Sequence, residues 1–75
     1  MNFSEFYTET LSLYHQENDG SLRLGRFLMY RLRKVKRHLY HAVPWDIDPY
    51  YDDRFLDACC EWLDERWDED FEVLL

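Results

Sequence analysis

Residues 22–43, LRLGRFLMYRLRKVKRHLYHAV, contain the most strongly periodic stretch of the chain. Apolar side chains recur there at helical spacing and fall in one arc of a helical wheel, at Leu24, Leu28, Leu32, Val35, Leu39 and Val43. Pro44 follows directly and cannot continue a helix, because its ring removes the N–H donor. The stretch therefore predicts an amphipathic helix over about residues 22–43, with Ser21 as its N-cap.

Two further helices are predicted on either side of this one. Asn2 and Glu5 have the spacing of a capping box, and apolar residues follow at helical intervals, which predicts a helix over about residues 3–16. A third helix is predicted over about residues 53–70. Its apolar stripe consists of Leu56, Cys60, Leu63 and Trp67, with Cys59 at the edge. We therefore expect a compact, all-α, three-helix domain.

The stretch 44–52 separates the second and third helices. It contains Pro44 and Pro49 and has no helical period, so we expect an ordered, extended loop whose aromatic residues pack across the helices. Asp52 or Asp53 then caps the third helix. No repeat or composition shift divides the chain, which predicts a single domain spanning residues 1–75.

The composition limits the class of protein. With 47% hydrophobic and 19% aromatic residues in 75, the chain has too much apolar material to be disordered. Two glycines and two prolines are too few for a turn-rich β fold. No apolar run approaches the ~20 residues of a membrane span, and the first residues lack the pattern of a signal peptide. We expect a cytoplasmic protein that does not contact a membrane.

The net charge of −7 hides a strong segregation along the chain. Residues 1–21 carry four acids, residues 22–43 carry seven bases and no acid, and residues 44–75 carry twelve acids against two arginines. The third helix gathers its acids on one face, which favours a partner protein with a basic, nucleic-acid-binding surface. The residues predicted to bind that partner are Asp57, Glu61, Trp62, Asp64, Glu65, Asp68 and Glu69.

The second helix carries the opposite polarity on the face away from its apolar arc. Candidate contact residues there are Arg23, Arg26, Tyr30, Arg33 and Arg37. Arginine interleaved with aromatic rings is typical of phosphate-tracking surfaces, but the net charge of −7 disfavours direct nucleic-acid binding. Two alternatives remain open. The charged faces are simply solvated or neutralise each other, or the charge dipole drives self-association of the chain.

Catalytic and metal sites are not expected. Cys59 and Cys60 are adjacent, a spacing that disfavours a disulfide between them. Adjacent cysteines are also a weak zinc-binding motif, even if His38 and His41 supplied the other two ligands. The aspartates of residues 46–53 lack the glycine and closing glutamate of a calcium loop. The sequence has no glycine-rich turn that would present a nucleophile, and 75 residues leave little room for a pocket. We therefore expect a protein that is not an enzyme and binds no cofactor.

Three short motifs carry a resemblance to a set of small, mostly uncharacterised phage and bacterial proteins. These motifs are RLGRFLMYRL at 23–32, DIDPYYD at 46–52, and Trp62-Leu63. The pattern of that set is an Arg-x-Gly-Gln helix, an Asp-Pro-Phe-Tyr loop and a closing Trp-Leu. In this chain Arg26 replaces the glutamine, Tyr30 stands where the pattern prefers asparagine, and Tyr50 replaces the phenylalanine.

The resemblance implies a compact helical fold of phage or mobile-element origin and supplies no catalytic residue. It implies that Gly25 is a packing glycine and that residues 48–51 form a structural clasp. Small acidic phage proteins often bind and inhibit or redirect a host restriction or CRISPR complex, nuclease or RNA polymerase. A phage-type inhibitor in the cytoplasm of a bacterial host is therefore the leading hypothesis.

Overall fold

The computed structural model describes residues 1–17 and 20–68, and these form an all-α domain without a strand. The helices are α1 (Phe3–Glu17), α2 (Leu24–Val35), α3 (Arg37–Ala42) and α4 (Leu56–Arg66). Two short 3-10 turns, Trp45–Ile47 and Asp53–Phe55, lie between α3 and α4. The predicted fold class is confirmed. Positions 69 and 70 of the third predicted helix lie outside the described residues.

Helix α1 begins where the capping box predicts. The Asn2 side chain accepts a hydrogen bond from the Glu5 N–H at 2.8 Å, and the Glu5 carboxylate accepts one from the Asn2 N–H at 2.9 Å. Each side chain thus satisfies a backbone donor that the first turn of a helix leaves unpaired.

The second predicted helix is divided at Lys36, whose φ of −136° and ψ of 71° are not helical. The Lys36 N–H still donates to the Leu32 carbonyl at 2.8 Å, so the last turn of α2 closes normally. The chain then changes direction into α3, and the Lys36 ammonium lies 5.4 Å from the centre of the Trp67 ring. Val35, predicted in the apolar arc, is 41% exposed.

The start of α2 also differs from the prediction. The N-cap position is Arg23 rather than Ser21, and it has an extended conformation. Arg23 is held there by residues far along the chain, because its guanidinium donates to Asp53 Oδ1 and to the Tyr50 carbonyl, both at 2.6 Å. Asp53 Oδ1 also accepts the Gly25 N–H at 3.0 Å, so a distant carboxylate caps the helix.

A single core joins all four helices. Its buried members are Phe6, Leu28, Met29, Leu32, Leu39, Cys59, Leu63 and Trp67. The stripe of α4 is therefore rotated slightly from the prediction, since Cys59 is fully buried and Cys60 lies at the edge. The Trp67 indole N–H donates to the Met1 carbonyl at 2.9 Å, which ties α4 to the start of α1.

Gly25 and the loop after α3 form the clasp that the resemblance implies. Gly25 is buried against the loop, and a Cβ placed on it would meet the Pro49 carbonyl oxygen and lie 2.5 Å from Asp53 Oδ1. Pro49 is itself buried, and the Asp48 side chain accepts the Tyr50 N–H at 2.9 Å. The loop is thus ordered as predicted, although it contains 3-10 turns rather than a fully extended chain.

Candidate interaction surfaces

The outer side of α4 and the turn after it carry a row of carboxylates, called here the acidic face. Its described members, all exposed, are Asp57, Glu61, Asp64, Glu65 and Asp68. Burial of Cys59 and Leu63 on the opposite side fixes this orientation. Within the described residues, only Glu65 of this face has an ion-pair partner, Arg66, at 3.4 Å. Glu69, also predicted to belong to this face, lies outside the described residues.

Trp62, predicted as the aromatic anchor of the acidic face, is half-buried and packs against the core. The Arg66 guanidinium covers its ring at 4.7 Å from the ring centre. Phe55 is covered in the same way by Arg54, at 5.4 Å. Both rings therefore lie at the edge of the acidic face with a cation of the chain already against them.

The two cysteines are free, and burial makes them weak acids. Burial, with smaller effects from Cys60 and Asp48, raises the pKa of Cys59 to about 12. Burial and then the charge of Asp57 raise the pKa of Cys60 to about 11. Both thiols are protonated near neutral pH, which makes them poor nucleophiles.

No three His, Cys, Asp or Glu side chains come together as a metal site in residues 1–17 and 20–68. His38 and His41, placed three residues apart by the sequence, both lie on α3. The structure does not join them with the two cysteines into a ligand set among these residues.

The basic face lies on α2 and α3 and lacks Arg23, which the sequence predicts to belong to it. Its exposed members are Arg26, Tyr30, Arg33, Lys34 and Arg37. The last four of these line an open depression of about 580 Å³. Arg26 lies 4.8 Å from the centre of the Tyr50 ring, and Arg33 lies 6.0 Å from that of Tyr40.

Two arginines of the second predicted helix have internal roles instead. Arg23 binds Asp53, as described above. Arg31 pairs with Glu9 at 2.5 Å and donates to the hydroxyl of Thr10, a fully buried polar residue that sequence periodicity did not place in the core. Of these two arginines, only Arg23 was predicted to belong to the basic face, and its guanidinium is bound by Asp53 instead.

A third surface was not predicted. Trp45 is 84% exposed and Tyr51 is 72% exposed, and together with Asp46 and Phe55 they line an open depression of about 480 Å³, called here the aromatic depression. The loop aromatics were expected to pack across the helices, and only Tyr50 does so. The available signal was a tryptophan directly after Pro44 in an acidic, irregular stretch.

Comparison with known proteins gives no match: no family, no curated protein and no solved structure is significantly similar to the chain. Among the described residues, no helix combines the length and the apolar composition that crossing a membrane requires.

Proposed function

We propose that the chain is a small, non-enzymatic, phage-type protein that acts in the cytoplasm of a bacterial host. It binds a host nucleic-acid-handling protein and thereby inhibits or redirects it. A restriction or CRISPR complex, a nuclease and an RNA polymerase are the candidate targets. The observation that carries the proposal is the acidic face, a row of five exposed carboxylates of which one has a cationic partner within the described residues.

The spacing of these charges supports an imitation of a phosphate backbone. An α-helix rises ~1.5 Å per residue, so the four carboxylates from Asp57 to Glu65 extend over about 12 Å. Measured along the axis, one charge per about 4 Å is comparable to the ~3.4 Å of duplex axis per phosphate of one strand. A protein channel lined with lysine and arginine would attract such a helix as it attracts nucleic acid.

The lack of internal neutralisation is the second support. Within the described part of the chain, no lysine or arginine of the basic face pairs with a carboxylate of the acidic face. Like charges along one helix repel one another and raise its free energy. A cationic partner surface removes that repulsion, so binding is favoured and association is fast and sensitive to salt.

The proposal is tested with two variants of equal charge. The triple variant Glu61→Gln, Asp64→Asn, Asp68→Asn changes the net charge from −7 to −4 on the acidic face. The control Thr8→Lys, Ser12→Lys, Gln16→Lys makes the same change on the exposed side of α1. Partners captured by the wild type from bacterial lysate are identified by mass spectrometry, purified and titrated with all three proteins.

We expect the acidic-face variant to bind at least about tenfold more weakly than the control at about 50 mM salt, and DNA or RNA to compete with the wild type. Equal affinities of the two variants would show that net charge alone matters and would overturn the assignment to α4. A captured partner that binds the wild type and nucleic acid simultaneously would overturn the imitation of a phosphate backbone.

A second candidate is self-association, in which the basic face of one copy contacts the acidic face of the next. The depression lined by Arg33, Lys34 and Arg37 is the observation that favours it, since it offers an exposed surface of complementary charge. Nucleic acid is a further possible ligand of the same depression, although the net charge of −7 opposes it at long range.

A further inference from the structure

The aromatic depression is the least expected surface of this protein. Burial of apolar side chains stabilises a fold, and Trp45, which is 84% exposed, contributes little of this stabilisation. Tyr51, at 72% exposure, lies beside it in the same depression. Exposed tryptophan and tyrosine grouped in this way are characteristic of binding surfaces.

The loop holds these rings in an ordered arrangement. Pro44 precedes the 3-10 turn of Trp45, and the turn is closed by a hydrogen bond from the Ile47 N–H to the Pro44 carbonyl at 3.1 Å. At its other end, Pro49 is buried beneath the clasp with Gly25. A ligand therefore meets a preformed site and does not have to order the loop.

The depression is also acidic. Asp46 lines it and is exposed, and its carboxylate has no hydrogen-bond or ion-pair partner in the ranges 1–17 and 20–68. The other aspartates near it are engaged, since Asp48 accepts the Tyr50 N–H and Asp52 accepts the Arg54 N–H. Aromatic faces beside an unengaged carboxylate attract a planar cation, because ring and carboxylate both carry negative potential.

The chain itself demonstrates this preference at neighbouring rings. Guanidinium groups lie over Tyr50 at 4.8 Å, over Trp62 at 4.7 Å and over Phe55 at 5.4 Å. Trp45 and Tyr51 have no such cation among the described residues. Arg54 already packs on Phe55 at the edge of the depression, whereas the Trp45 and Tyr51 rings and the Asp46 carboxylate remain without a cation among the described residues.

We propose that the aromatic depression binds an arginine side chain from a basic segment of a partner protein. The guanidinium packs on the rings of Trp45 and Tyr51 while it pairs with the Asp46 carboxylate. This rests on the proposed function for the source of the arginine, because a basic host surface that meets the acidic face supplies one. The site would be a second contact, separate from the carboxylates of α4.

A synthetic peptide of alternating arginine and glycine is the probe, titrated into the full chain and followed by the indole N–H signals in NMR spectra. The signal lost in Trp45→Phe identifies Trp45 among the three tryptophans. We expect that signal to shift on titration, and Trp45→Ala to bind the peptide about tenfold more weakly, while Trp45→Phe retains most of the affinity. Trp45 is exposed, so these variants keep the fold.

The charge is tested by Asp46→Asn against Glu17→Gln, since each removes one exposed carboxylate. We expect only Asp46→Asn to weaken peptide binding severalfold. An unmoved Trp45 signal at saturating peptide, the absence of peptide binding, or equal effects of the two variants would each overturn the site.

The two proposals fail in different ways. If Glu61→Gln, Asp64→Asn, Asp68→Asn abolishes peptide binding and Trp45→Ala does not affect it, the acidic face captures the arginine and the inference is wrong while the proposed function stands. If Trp45→Ala weakens peptide binding but the acidic-face variant still captures the host partner normally, the arginine site stands and the acidic-face mechanism of the proposed function fails.

Discussion

Gly25 is the residue at which the loop and α2 approach most closely. Replacement by alanine forces a methyl group against the Pro49 carbonyl oxygen and the Asp53 carboxylate. Backbone cannot move aside as a flexible side chain can, so we expect Gly25→Ala to lower the free energy of unfolding by about 2 kcal/mol or more. Urea unfolding followed by circular dichroism measures this loss.

Gly20 provides the control for that measurement. It has a φ of +95°, and no atom of the described residues lies within 4 Å of the position that a Cβ would take, so Gly20→Ala meets backbone strain but no collision. We expect it to cost about 1 kcal/mol. A Gly20→Ala loss equal to or larger than that of Gly25→Ala would mean that the clasp is not tightly packed.

Ionisation of the Cys59 thiol should lower the free energy of unfolding at alkaline pH. Its thiol has a pKa of about 12 in the fold against an ordinary value of 9.0, so from about pH 9 the unfolded chain releases this proton before the folded chain does. The stabilisation of the fold by the buried, protonated thiol is therefore fully present below pH 9 and is lost as the pH rises towards 12. Cys59→Ala should be less stable than the wild type at about pH 8, and the difference should narrow by on the order of 1 kcal/mol by about pH 10.

Urea titrations of both proteins at the two pH values check this. Cys60→Ala should show nearly the same narrowing of its stability difference from the wild type, because its pKa of about 11 also lies above pH 10. A Cys59→Ala difference that stays constant with pH would show that the thiol ionises normally in the fold.

At the scale of the element, α1 owes its first turn to the Asn2–Glu5 capping box. We expect Asn2→Ala to destabilise the protein by about 1 kcal/mol, because the Glu5 N–H loses its acceptor. Asn2→Asp keeps an acceptor at the same position and should stay near wild-type stability. Thermal unfolding of the wild type and the two variants distinguishes these outcomes. An equal loss of stability in Asn2→Ala and Asn2→Asp would show that the capping hydrogen bond is not the cause.

The helices differ in how far local sequence determines them. The capping box of α1 and the Asp52 cap before α4 involve residues two or three positions apart, so they were predictable. The division at Lys36 was not, since no proline or glycine marks it. It accompanies the packing of Lys36 on Trp67, thirty-one positions away, and the burial of Leu39 in the shared core.

The whole molecule keeps its opposite charges on separate helices. If the basic face of one copy binds the acidic face of another, sedimentation velocity at about 50 μM protein should show larger species at about 50 mM salt that dissociate at about 500 mM salt. Arg33→Gln, Arg37→Gln should then remain monomeric at low salt. A wild-type monomer at both salt concentrations would eliminate self-association.

The sequence by itself determined the helical class, the cap of α1 and the segregation of charge. These depend on composition and on residues a few positions apart, where spacing alone places side chains on one face. The acidic face was likewise predictable, because burial of the apolar stripe of α4 leaves the carboxylates on the opposite side exposed.

Tertiary structure alone decided which charged and aromatic residues remain available. Arg23 is withdrawn from the basic face because Asp53, thirty positions away, binds it, and Glu9, twenty-two positions from Arg31, binds that arginine. Trp45 stays exposed because the loop is anchored by Pro49 against Gly25, which leaves the tryptophan outside the core. Such outcomes depend on contacts between distant residues, and no periodicity within a segment encodes them.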